Sequence, residues 1–249
     1  MDVGELAGTR VMVTGATSGL GAAMATALSA AGARVVATSR RLARAQAAAQ
    51  RLGPDSLGVE LDVRDEASVS AAVGDVWDRL GGLDVLVNNA GIGMRTVNLR
   101  FLTDPQPFWE VAPKGFRDVI DTKVTGAFLV ARAVAPRMVA AGSGRIVTIS
   151  MSEQTMTRRG FVPYGPSGAA VEALSRVMAA DLADTPVTVN LLLPGGATAT
   201  GMVPEDTPPE VRERLLDAAV MGPPIVWLAS ARAAGVHDQR IVATEFAKA

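Results

Sequence analysis

Three glycines, two arginines and one lysine set in an apolar stripe are where this 249-residue chain first points to chemistry. Gly15, Gly19 and Gly21, in the run Thr14-Gly15-Ala16-Thr17-Ser18-Gly19-Leu20-Gly21, follow a β-branched segment and open an alanine-rich one. Glycines placed there allow a tight turn and let backbone N–H groups approach a pyrophosphate at the positive end of a helix. A glycine trio alone is a weak signal, but seated between a strand and a helix it points to a bound dinucleotide. About twenty residues further on, a site for an unphosphorylated ribose carries an acid that binds the 2′-hydroxyl. This chain instead reads Thr38-Ser39-Arg40-Arg41. A guanidinium grips a 2′-phosphate through paired, charge-assisted hydrogen bonds, whereas a carboxylate repels it. The expected cofactor is therefore NADP(H) rather than NAD(H).

The lysine is Lys123. Phe116–Ala141 reads as one long helix. At about 100° per residue, Ile120, Val124, Ala127, Phe128, Ala131 and Val134 form its apolar face. Lys123 falls within the edge of that face, between Val130 and Val134. A lysine there must snorkel, pair or lose its charge.

The elements that position these residues alternate. Arg10–Thr14, Arg34–Thr38, Ser56–Leu61, Val85–Asn88, Arg145–Ser150 and Thr188–Leu193 read as buried strands. Leu20–Ala31, Ala43–Leu52, Glu66–Leu80, Phe116–Ala141 and Ser167–Ala183 read as the helices between them. Strand alternating with helix implies an α/β fold, a parallel sheet covered on both faces. Two long irregular stretches, Gly93–Pro113 and the proline-rich Ala197–Pro224, are candidates for substrate-facing loops.

Composition narrows the classes. The chain is long enough for one large domain. Its 24 basic and 25 acidic residues make no general electrostatic case for nucleic acid or an anionic membrane. The absence of cysteine excludes disulfides and thiolate chemistry, and a single histidine, His237, excludes a multi-histidine metal cluster. The acidic, polar start from Met1 to Glu5 does not read as a signal peptide. No apolar run approaches the roughly 18 residues of a membrane span. The expectation is a soluble, cytoplasmic protein.

The glycine loop, Asn88-Asn89-Ala90-Gly91 and Tyr164-Gly165-Pro166-Ser167-Gly168 together resemble the short-chain dehydrogenase/reductase family. The resemblance runs from about Leu6 to Ser230. It implies a single-domain, Rossmann-type, doubly wound parallel sheet with helices on both faces. It also implies cofactor contacts from Gly15, Thr17, Ser18, Gly19, Leu20 and Gly21, and from Ser39, Arg40 and Arg41 at the ribose. Asp62 and Val63 match the adenine segment; Asn89, Ala90 and Gly91 match the turn that runs along the cofactor. Pro194-Gly195-Gly196 matches the segment beside the nicotinamide. Thr198 and Thr200 straddle the place of the family's threonine.

At the reaction centre the resemblance gives Tyr164, the only tyrosine, the proton-transfer role. A tyrosine ordinarily titrates near 10, so a neighbouring ammonium is needed to favour its phenolate. The family places a lysine four residues on, one helical turn away; here that place holds Gly168. Met151 stands where the family has a serine, with Ser152 a candidate replacement. Lys123 stands where the family has an asparagine. This paired loss and gain suggests that Lys123 reaches into the volume left by Gly168 and supplies the ammonium. Alternatively, Gly168 opens space for a bulky substrate or the cofactor ribose, and Lys123 snorkels at a subunit interface.

The activity implied is NADP(H)-dependent reduction of a ketone or aldehyde. The alternatives are reduction of an imine or activated double bond, and a non-catalytic NADP(H)-binding sensor or scaffold. The partners implied are a small-molecule substrate and further copies of the chain, as a dimer or tetramer. Phe101, Phe108, Trp109, Met156, Phe161 and Met202 could line an apolar substrate pocket. The C-terminal stretch Ile241–Phe246 departs from the family's glycine-rich ending.

Overall fold

Val11 and Val13 face one side of a sheet and Met12 the other, and both sides are dry. A strand buried on both faces can be apolar at every position, and here helices cover each face. The computed structural model describes residues 4–246; Met1–Val3 of the acidic start and Ala247–Ala249 lie outside the described residues. Its strands are β1 (Arg10–Val13), β2 (Arg34–Ser39), β3 (Leu57–Glu60), β4 (Val85–Asn88), β5 (Gly144–Ile149), β6 (Val187–Leu193) and β7 (Arg240–Val242). All pair in parallel, in the order β3-β2-β1-β4-β5-β6-β7.

Between them run α1 (Gly19–Ala30), α2 (Leu42–Leu52), α3 (Glu66–Leu80), α4 (Pro113–Ile120), α5 (Gly126–Ala141), α6 (Glu153–Met156) and α7 (Tyr164–Asp181). After β6 come α8 (Pro209–Arg212), α9 (Gly222–Ala229) and, beyond β7, α10 (Ala243–Phe246). On one face Met24 and Leu28 of α1 and Ile225 and Val226 of α9 pack against Val11, Val13 and Val35. On the other, Val69, Val73 and Val76 of α3 and Val130, Val134 and Met138 of α5 pack against Met12, Val36 and Ile146. This is the doubly wound parallel sheet that the alternation implied.

Two helices depart from expectation. The single helix expected over Phe116–Ala141 is α4 and α5 joined by a π turn, Asp121–Thr125. A π turn inserts one residue, so the apolar face slips by one position across it. Below the turn Ala127, Val130, Ala131, Val134 and Met138 are buried; above it the buried residue is Val119, not Ile120. Phe128, placed on the inner face by uniform periodicity, is 45% exposed. The second departure is α7, which starts at Tyr164 rather than Ser167. Pro166 falls within its first turn, where an N–H has no intrahelical acceptor to lose.

The expectation that no segment could span a membrane also needs correction. Pro113–Ala141 is, by length and composition, apolar enough to cross one, with a mean hydropathy of 1.4 in its most apolar window. Its apolar residues Val130, Val134 and Met138 are spent on the sheet.

Candidate active site

The sheet winds outward in both directions from β1 and β4, so the loops leaving these strands part and open a cleft above their carboxyl ends. β1 leads into Thr14, whose hydroxyl accepts hydrogen bonds from Asn89 N and Ala90 N, both at 2.9 Å, and donates to Val87 O at 3.2 Å. Asn89 Nδ2 donates to Thr14 O at 2.9 Å and to Gly15 O at 3.2 Å. These bonds fasten the glycine loop to the Asn88–Gly91 turn. Gly15 turns at φ +69°, and a Cβ on Gly21 would strike Asn89 Nδ2 and Gly15 O. Ser18 caps α1 in an extended conformation without a side-chain cap bond. Thr17, Ser18, Gly19 and Leu20 therefore border a helix end whose first N–H groups are free for a ligand. This is a cradle that fits a pyrophosphate.

At the end of β2, Ser39 Oγ accepts from Arg41 N at 3.4 Å. Arg40 and Arg41 are exposed at the start of α2, whose first turn carries no acid. Across the gap, Asp62 accepts from Arg64 Nε at 2.9 Å and Nη2 at 2.6 Å. Those bonds, with a smaller attraction from Arg40, hold its carboxyl below the usual range. The Val63 side chain packs on the start of α5, where a Cβ on Gly126 would lie 2.6 Å from it.

Beyond β6, Pro194 is buried and Gly195 abuts Thr244 of α10. Of the two threonines, Thr200 closes on the glycine loop, its methyl 3.3 Å from where a Gly19 Cβ would be. Thr198 is committed elsewhere: its hydroxyl donates to Gly196 O at 3.2 Å and its backbone bridges to Leu216.

The π turn delivers Lys123 to the cleft. Its stem crosses Gly91, where a Cβ would sit 3.1 Å from Lys123 Cγ. Its ammonium stands over the Tyr164 ring, 4.8 Å from the centroid. Burial lowers Lys123 from 10.5 to about 8, and burial raises Tyr164 above its ordinary value of 10.0. Beside the lysine lies a small chamber bordered by Asn88 and Thr148. Asn88 Oδ1 and Thr148 Oγ1 are buried without protein hydrogen-bond partners.

The lysine does not occupy the volume left by Gly168, as the sequence suggested. Met151 does: a Cβ on Gly168 would meet Met151 Sδ and Cε at 2.8 Å. Nor does Gly168 open room for substrate or ribose, because the flexible thioether has filled the notch. The two departures from the family pattern, methionine for serine and glycine for lysine, are one packing exchange. Ser152 is spent on structure: as N-cap of α6 its Oγ accepts from Thr155 N at 3.3 Å and pairs with Thr155 Oγ1 at 2.9 Å. Ser150 is also spent on structure, donating to Glu172 of α7 at 2.5 Å.

Around the tyrosine the surface is apolar. Met94, Phe101 and Phe161 form a buried cluster against which Tyr164 packs, with Phe101 and Phe161 edge to face at 5.4 Å. Met202 Sδ lies 3.9 Å from the tyrosine hydroxyl. Arg95 holds that loop, donating to Gly201 O at 2.8 Å. Met156 of α6 is only partly buried, its backbone against Gly165 at the start of α7. Phe108 and Trp109, counted among the pocket candidates, pack edge to face on each other and are 67% and 73% exposed. Met94 went unassigned in the sequence because its place against Tyr164 is set by a contact that only the fold creates.

Comparison with known proteins places the chain's relatives in one family. The profile of the family described as short chain dehydrogenase matches residues 9–210. The chain is 32% identical to the 5-keto-D-gluconate 5-reductase of Escherichia coli (strain K12) over 197 residues, 78% of this chain and 74% of that protein. Its structure resembles a gluconate 5-dehydrogenase from Burkholderia cenocepacia J2315 in complex with NADP and tartrate. That likeness has a TM-score of 0.85 at 28% identity, over 100% of this chain and 98% of the other. A 3-ketoacyl-(acyl-carrier-protein) reductase from Brucella melitensis, complexed with NADH, matches with a TM-score of 0.84 at 28% identity, covering 95% and 97%.

Proposed function

We propose, from the premise that this chain belongs to the short-chain dehydrogenase/reductase family, that it is an NADP(H)-dependent reductase of a ketone or aldehyde. The observation that carries the reading is the Lys123 ammonium over the Tyr164 ring. The glycine loop and the first turn of α1 would hold the pyrophosphate, and Arg40 and Arg41 would hold the 2′-phosphate. NADP in the gluconate 5-dehydrogenase structure supports that choice. The nicotinamide, when bound, supplies the hydride.

The chain's own residues manage the proton. Tyr164, kept protonated by burial, donates from Oη to the substrate oxygen as negative charge develops there. The phenolate left behind lies under the Lys123 ammonium, which stabilises it through space and through the ring face. Met94, Phe161 and Met202 keep the hydroxyl in apolar surroundings, where that stabilisation is strongest. The segment 197–224 serves as the substrate loop of a single dinucleotide-binding domain. The exposed Phe116, Phe128 and Val177 on α4, α5 and α7 support association into a homo-oligomer.

A second reading follows from Met151 and Ser152. With one filling a notch and the other capping a helix, Tyr164 is the hydroxyl left to meet the substrate. A carbonyl and an imine each take one proton. An imine nitrogen, however, has a single lone pair and accepts one hydrogen bond, so it suits a site with one hydroxyl donor better than a carbonyl oxygen with two. The test is NADPH oxidation with acetophenone, 5-keto-D-gluconate and 1-pyrroline. Wild type should consume NADPH with at least one, and Tyr164→Phe should lose about 100-fold or more. If wild type binds NADPH and reduces none of them, the non-catalytic reading takes its place.

A further inference from the structure

The face of α7 that carries Tyr164 and Gly168 continues one turn on to Glu172, and there it meets the C-terminal strand. Both Glu172 carboxylate oxygens accept from Arg240 Nε, at 3.0 and 3.1 Å. Oε1 also accepts from Ser150 Oγ at 2.5 Å. The other arm of the guanidinium, Nη2, donates to Met151 O at 3.0 Å. Residue 151 is thus gripped from both sides: its predecessor is bonded to Glu172 and its own carbonyl to Arg240. The two side chains are only 17% and 23% exposed.

This contact is the innermost of three between α7 and the segment leading into β7. Arg176 donates to Asp238 O and Oδ1 at 2.6 Å, and His237 Nε2 meets Ala179 O at 2.9 Å. The outer pair is exposed, with side chains 44% and 48% accessible, and touches nothing at the reaction centre. The inner pair touches the residue whose side chain fills the Gly168 notch one turn from Tyr164.

We propose that Arg240 and Glu172 are positioning residues: together they hold Met151 in the Gly168 notch and thereby set α7, and Tyr164 at its head, against the end of β5. Arginine is needed because one planar fork must reach two acceptors, a carboxylate and a carbonyl, in fixed directions. Lysine keeps the charge but offers a single point. The role of the pair rests on the proposed proton transfer by Tyr164, but its structural consequence can be read without turnover. Tyr164 is the only tyrosine, so phenolate absorbance reports it alone.

The experiment compares wild type, Arg240→Met, Arg240→Lys, Glu172→Gln and the outer-pair control Arg176→Met, by phenolate titration and by NADPH oxidation with the carbonyl probes. In wild type the buried tyrosine titrates above the ordinary value. Arg240→Met and Arg240→Lys should bring the midpoint down towards that value, by about one pH unit, as Tyr164 becomes wetter. They should lower kcat about 10-fold or more while leaving NADPH affinity unchanged. Arg176→Met should lower thermal stability without moving the midpoint or kcat.

If Arg240→Met does not fold, Arg240→Lys and Glu172→Gln carry the same comparison. An unchanged midpoint in these variants, or full recovery by lysine, overturns the proposal and leaves an ordinary structural ion pair. Should wild type reduce none of the probes, the reductase reading fails on its own, and the midpoints still decide this one.

Discussion

Lys123 concentrates the conflict between stability and chemistry in one side chain. Its ammonium is held in a partly buried site with no carboxylate partner among the described residues, and burial alone drops it from 10.5 to about 8. A folded-state value below the unfolded one means that the charged lysine costs stability in full below pH 8. The cost is relieved as pH rises from 8 to 10.5. Across that interval the free energy at stake is roughly 3.5 kcal/mol as an upper bound. Lys123→Met should therefore be more stable than wild type at neutral pH in urea denaturation, with the difference closing at alkaline pH. Equal stability at every pH would show that the ammonium is well solvated and not strained over Tyr164. Tyr164 poses the same conflict in milder form, because its neutral state is the one burial favours.

At the scale of elements, the decisive pieces are the π turn and the Met151–Gly168 contact. A glycine inside a helix costs roughly 1 kcal/mol against alanine. Gly168 is retained because Met151 lies where a Cβ would go. In the wild-type background Gly168→Ala should gain nothing or lose roughly 1–3 kcal/mol through overpacking. In a Met151→Ser background the same change should stabilise by roughly 1 kcal/mol. The sign reversal is the readout of a double-mutant cycle by thermal denaturation; additive effects would mean that the two residues do not share the notch.

Neither piece was legible beforehand. Nothing in Asp121-Thr122-Lys123-Val124-Thr125 breaks helical periodicity, so a uniform register placed Phe128 inside and missed Val119. The absence of a lysine at Gly168 could be read in the sequence, but what fills the space is a matter of packing between β5 and α7. By contrast, strands such as Val85–Asn88 and helices such as Glu66–Leu80 were legible to the residue, because a short continuous apolar run marks the first, and Asp65 and Gly81 cap the second.

Over the whole molecule, the topology gathers what the sequence scatters. Thr14, Asn89, Thr148 and Pro194 each stand just beyond or at the end of a parallel strand, so one edge of the sheet carries the proposed cofactor cradle and the proposed reaction centre. β7 was the strand least visible in the sequence, three residues long and begun by a half-buried arginine. It exists because parallel pairing with β6 and the ion pair to α7 hold it, neither of which a local pattern records.

The same gathering makes the central claim, that Lys123 serves Tyr164, testable on the intact protein. The measurement is the pH dependence of NADPH oxidation by wild type and Lys123→Met, using whichever of the three probes wild type reduces. The predicted wild-type rate falls as pH rises through about 8, where Lys123 loses its charge. Lys123→Met should bind NADPH normally and lack both that alkaline limb and about 100-fold of the rate. Full activity in Lys123→Met, with the limb unchanged, would contradict the account.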